Sequence, residues 1–101
     1  MIADDLKRAR AVIANSRNWT RGSYARDAFG GPVSPTEPDA ARFDVTGAIH
    51  KVTGRAYSQA ETFFERFVRK SLTAFNDDNA HETVVAKLDE AIAAAMKGER
   101  V

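Results

Sequence analysis

Apolar side chains at Ile2, Leu6, Ala9 and Ile13 recur at steps of four, three and four, the spacing of one helix face. Asp4 and Asp5 fall in the first turn, where the helix dipole favours negative charge, and Asp4 is spaced to pair with Arg8. The pattern predicts a first helix over residues 3–15. A second run, Ala41, Val45, Ala48, Ile49 and Val52, follows Pro38, whose fixed φ suits a first helical position, and stops at Gly54. Ser58 and Glu61 have the spacing of a capping box ahead of Ala60, Phe63, Phe64, Phe67, Val68, Leu72 and Phe75. This aromatic-rich third helix is the expected centre of the core. Asn79 and Glu82 repeat the box ahead of Val84, Val85, Leu88, Ile92 and Met96, a fourth helix closing at Lys97 and Gly98 with a frayed tail behind it.

Between the first two helices the periodicity lapses. Residues 19–43, WTRGSYARDAFGGPVSPTEPDAARF, hold the only Trp and all three Pro. Irregular stretches of this length are uncommon inside a compact domain and tend to be functional. Tyr24-Ala25-Arg26 and Pro32-Val33 flank Asp27-Ala28-Phe29-Gly30-Gly31, a pattern for a small hairpin that Pro32 would confine to edge pairing. Trp19 and Phe29 are its expected anchors. The fold class is therefore mainly α: a bundle of about four helices in one domain, residues 1–101, with a loop or short β-hairpin inserted at 16–37.

Composition narrows the chemistry. At 101 residues, with 44% hydrophobic and 29% charged residues, the chain has the make-up of one globular domain. Fifteen basic against 14 acidic residues leave a net charge of +1, which creates no strong field for phosphate backbones or anionic lipid. The absence of cysteine removes disulfides, thiolate catalysis and Cys-based metal sites. It fits a cytoplasmic location. The N-terminus mixes charges among its apolar residues, unlike a signal peptide, and no apolar run has the length of a membrane span.

Three segments carry a family resemblance: WTRGSYARDAFGGPV, then PDAARFDVTGAI, then FNDDNAHETVVAKLDEAI. In that order they resemble the motifs of a bacterial and phage family, domain of unknown function 6197, across nearly the whole chain. In that family a Cys often follows the position of Phe43; here Asp44 stands there, so any thiol role is absent. The resemblance implies a compact, mostly helical accessory protein and carries over no catalytic residues.

Asn76-Asp77-Asp78-Asn79 lacks the Gly and the closing Glu of a calcium loop, so Asn76 and Asp77 are expected to end helix three while Asn79 caps helix four. His50 and His81 have no metal-ligand spacing and are expected to be solvated. No nucleophile elbow or phosphate-binding Gly-rich fingerprint occurs. The expectation is a protein with no catalytic residues, metal or cofactor. Arg17, Trp19, Arg21, Tyr24, Arg26 and Asp27 combine the residue types enriched in interface hot spots and form the candidate partner-binding surface. Ser58, Glu61, Asn76, Asp77, Asn79 and Glu82 are the expected structural caps. The leading reading is a non-enzymatic protein-interaction module, such as a phage-related regulator or inhibitor. A nucleic-acid-binding regulator would instead use helices two and three, presenting Gln59, Glu61, Thr62, Glu65, Arg66, Arg69 and Lys70. An enzyme built around Asp27, Asp44 and Asp77 ranks last.

Overall fold

Helical periodicity organises most of the chain. The computed structural model, described over residues 1–99, has five α-helices: α1 (Ile2–Val12), α2 (Val45–Thr53), α3 (Gln59–Val68), α4 (Leu72–Asp78) and α5 (His81–Glu99). Between α1 and α2 lie a 3₁₀ turn, Ser16–Asn18, and two-residue strands β1 (Ala25–Arg26) and β2 (Arg42–Phe43). The mainly helical class with an ordered insertion is as expected. The helix count rises from about four to five because the third predicted helix is broken.

Leu6, Ala9 and Ile13 are fully buried where α1 packs against α2 and α5. Arg8 pairs with Asp5 at 3.8 Å rather than with Asp4, and also donates to the Val52 carbonyl. Arg10 reaches Asp89 at 2.9 Å and links α1 to α5 at the surface.

Helix α2 begins at Val45, well after Pro38. Residues 37–40 are spent on turns, with Glu37 N–H donating to Ser34 O and Ala40 N–H to Glu37 O. Ala41 gives its N–H to Arg26 O, and Arg42–Phe43 belong to β2. The helix starts where a cap is available: Asp44, in extended backbone, accepts the Gly47 N–H at 2.6 Å. Gly54, at φ 75°, ends it in the left-handed conformation expected.

The predicted third helix divides at residues 69–71. Arg69 takes a left-handed φ of 62°, and Ser71 caps a new helix by accepting the Ala74 N–H. The break sets the Phe75 ring edge-on to Phe64 at 6.0 Å. Phe64 is fully buried at the centre of the core, whereas Phe63 and Phe67 stack on each other half-buried. The second predicted capping box does not form. Asn79 donates from its side chain to Phe75 O, closing α4, while Glu82 is exposed in the first turn of α5. The frayed tail expected after Gly98 lies, beyond residue 99, outside the described residues.

β1 pairs antiparallel with β2, Ala25 opposite Phe43 and Arg26 opposite Arg42. The expected partner, Pro32-Val33, makes a bridge from Pro32 to Arg26 and a bond from Val33 N–H to Ala25 O. Proline has no N–H for a ladder, so β2 takes its place. Among the described residues no helix is long and apolar enough to cross a membrane.

Candidate functional site

The insertion is fastened to the bundle by one side chain. Leu72, Phe75 and Asn76 share the buried face of α4, and this carries Asn76 into the interior, where it is fully buried. Its Oδ1 accepts from the Trp19 indole N–H at 2.7 Å and from Val45 N–H at 3.0 Å. Its Nδ2 donates to Thr20 O at 3.0 Å and to Asp77 Oδ1 at 3.1 Å. All four hydrogen-bonding positions of the amide are thereby used. Asp77 also accepts the Gly22 N–H. Asn76 and Asp77 are thus not simple helix-end residues: they tie the start of the insertion to α4, and Asn76 ties it to the first turn of α2.

Trp19, the expected anchor, is half-buried, with its ring 5.5 Å from that of His81. His81 is not solvated as expected; it is half-buried and donates from Nε2 to Ile13 O at 2.6 Å. Arg21 lies 4.9 Å over the Trp19 ring and donates to Asn79 O. Arg26 holds the insertion together, donating to Thr20 Oγ1, Gly30 O and Arg21 O. Tyr24 is half-exposed, edge-on to His50. Arg17 is exposed, and its backbone N–H closes the 3₁₀ turn on Asn15 Oδ1. Two of the three candidate arginines therefore serve the fold of the insertion itself.

Phe29, the other expected anchor, points away from the fold and is 98% exposed. It stands on a turn whose backbone is locked. Asp27 Oδ1 accepts the N–H groups of Phe29 and Gly31, each at 2.9 Å. Asp27 N–H donates to Gly31 O, Gly30 N–H donates to Asp27 O, and Arg26 closes on Gly30 O. Gly30, at φ 88°, supplies a conformation that a side chain would strain. Asp27 is the organiser of this turn.

A second buried polar set lies under α2. His50 is buried rather than solvated, and its Nε2 meets Glu61 Oε1 at 2.7 Å. Glu61 also accepts the Tyr57 N–H, while Ser58 accepts the Glu61 N–H, so the predicted box forms with its return bond displaced to Tyr57. Asp44 is fully buried; burial pushes its carboxyl up to about 7, against the smaller opposing effect of the Gly47 N–H. Asp44 Oδ2 and Thr46 Oγ1 have no hydrogen-bond partner among the described residues.

The three aspartates of the enzyme reading are already engaged: Asp27 in its turn, Asp44 as a helix cap, Asp77 on Gly22. Among the described residues no group of three His, Cys, Asp or Glu side chains is placed to hold a metal ion. Of the residues assigned to a recognition helix, Glu61 is buried and the other six are exposed. Phe29 was missed as a surface residue because an apolar side chain in a loop usually folds inward. The flanking Asp and the Gly-Gly pair were the signal for a turn that holds it outward.

A family model described as a family of unknown function (DUF6197) matches residues 1–94, and the chain belongs to that family. No curated protein and no solved structure matches it.

Proposed function

We propose that this member of a family of unknown function is a small protein-interaction module, a regulator or inhibitor in the cytoplasm, with Phe29 as its anchor. The observation that supports this reading is Phe29 itself, held 98% exposed on a turn fixed by bonds from Asp27 and Arg26. A single exposed apolar side chain is ordinary on a protein surface. What is unusual here is the investment in holding it: buried Asn76, Trp19 and Arg26 all serve the segment that displays it. A pre-ordered aromatic loses little entropy when it enters a pocket, the condition that favours an interface hot spot. The candidate surface thereby moves from Arg21 and Arg26, whose side chains have internal duties, to the tip of the turn.

Burying one Phe contributes about 1.5–3 kcal/mol, so Phe29→Ala should weaken partner affinity roughly 10- to 100-fold. The melting temperature should not move, since the ring is outside the core. A photo-crosslinking residue at position 29 should yield one protein adduct in lysate of the source cells; the same residue at exposed Ala86 should not. Equal capture by the parent and by Phe29→Ala would refute the reading.

A further inference from the structure

Beside the turn joining α2 and α3 two cavities adjoin, sharing Ile2, Arg55 and Gln59 in their walls. The larger, about 420 Å³, is also lined by Tyr57, Thr62, Phe63 and Arg66. Its volume is that of a site for a small organic molecule. No residue between α1 and α2 lines either cavity, so this site is independent of the Phe29 turn.

Two features of the larger cavity point to a ligand. The first is charge. The guanidinium groups of Arg55 and Arg66, both exposed residues, make no hydrogen bond or ion pair among the described residues, and no Asp or Glu lines this cavity. Asp5, in the wall of the smaller cavity, lies 3.8 Å from Arg8. Two guanidinium forks beside half-buried Ile2 and Phe63 are complementary to a carboxylate on an apolar body.

The second is backbone strain. Tyr57 is held at φ 58°, in the left-handed region that an aromatic residue rarely enters, and the residue is 85% exposed. Its N–H is clamped by Glu61, which is itself buried against His50. Packing in the core gives no reason for the ring to be there. Outliers of this kind persist where the surroundings over-determine them, and they cluster at ligand clamps.

We propose that this cavity binds a small organic anion: an apolar or aromatic body ending in a carboxylate. Arg55 and Arg66 take the carboxylate; Tyr57 and Phe63 flank the body. The probe is 2-naphthoate titrated into isotope-labelled protein, with 2-naphthylmethanol as the uncharged counterpart. Saturable amide shifts confined to residues 54–66 and to Ile2 with its chain neighbours, with a Kd below about 1 mM, are expected for the acid. The alcohol should bind at least about tenfold more weakly, as should the acid to the double variant Arg55→Gln, Arg66→Gln. Tyr57→Gly relieves the positive φ, so it should keep or raise the melting temperature while weakening the acid. Four results would overturn the assignment: no saturable shift, equal affinity for acid and alcohol, undiminished binding by the double variant, or a lower melting temperature with unchanged binding in Tyr57→Gly. A Glu- and Phe-containing peptide that saturates the same amides at least about tenfold more tightly than the acid would also overturn it, in favour of a protein segment.

Discussion

Asn76→Ala is the substitution through which the insertion should come loose. It strips the Trp19 and Val45 N–H groups of their acceptor and Thr20 O of its side-chain donor, all near a fully buried position. A buried polar group left unpaired costs about 1–3 kcal/mol. Trp19 and Thr20 are only half-buried and can be partly rehydrated, so the total should fall near 3–5 kcal/mol rather than at the sum of three full penalties. For a domain of this size that is a drop of at least about 12 °C in melting temperature. Trp19 is the only Trp, so its fluorescence reports the anchor alone, and its emission should shift to the red before global unfolding. Asn76→Asp keeps the acceptor for Trp19 and Val45 but sets a second carboxylate beside Asp77, so its deficit should grow as the pH rises. An Asn76→Ala protein that melts within a few degrees of the parent, with unshifted fluorescence, would refute the reasoning.

Asp44 should make stability fall as the pH rises. Its carboxyl is raised from 3.8 to about 7 in the fold, so between those values the folded chain holds a proton that the unfolded chain has released. The contribution is full below about pH 4, is lost progressively toward pH 7 and is flat beyond, at most about 4 kcal/mol. Asp44→Asn keeps the cap oxygen for Gly47 and removes the titration. Urea unfolding from pH 4.5 to 8 should show the parent losing stability relative to the variant, and parallel curves would contradict this. At Gly47 a Cβ would overlap the Tyr24 carbonyl, a backbone atom held in place by the Asp44 N–H. Gly47→Ala should therefore cost more than about 2 kcal/mol, measured by thermal melting, although Ala is the better helix former. A neutral or stabilising result would mean that the Tyr24 carbonyl does not press on α2.

The helices were legible because their apolar periodicity and their contacts agree: Leu6, Ala9 and Ile13 on α1, and Val84, Leu88 and Ile92 on α5, are buried as their spacing requires. Capping was legible only in part. Ser58 behaves as its spacing suggests, but Asn79 serves the helix before it, and Asp44, which starts α2, was eclipsed by Pro38. Local signals of equal strength compete, and tertiary contacts choose among them. Asn76 shows why the site was harder to see. Its side chain suits turns, yet its position four residues after Leu72 places it inward, where partners 31 to 57 residues away in sequence complete its bonds. His50 with Glu61, and Arg21 and Arg26 with the carbonyls they bind, are likewise pairings that composition and periodicity do not encode.

The proposed function requires the insertion to be a rigid part of the fold, with Phe29 ordered before any partner arrives. Backbone ¹⁵N relaxation measures this directly at Asp27, Phe29, Gly30 and Gly31. The account predicts order parameters near about 0.85, equal to those of the helices, despite the exposure of the ring; values below about 0.6 across the turn would contradict it.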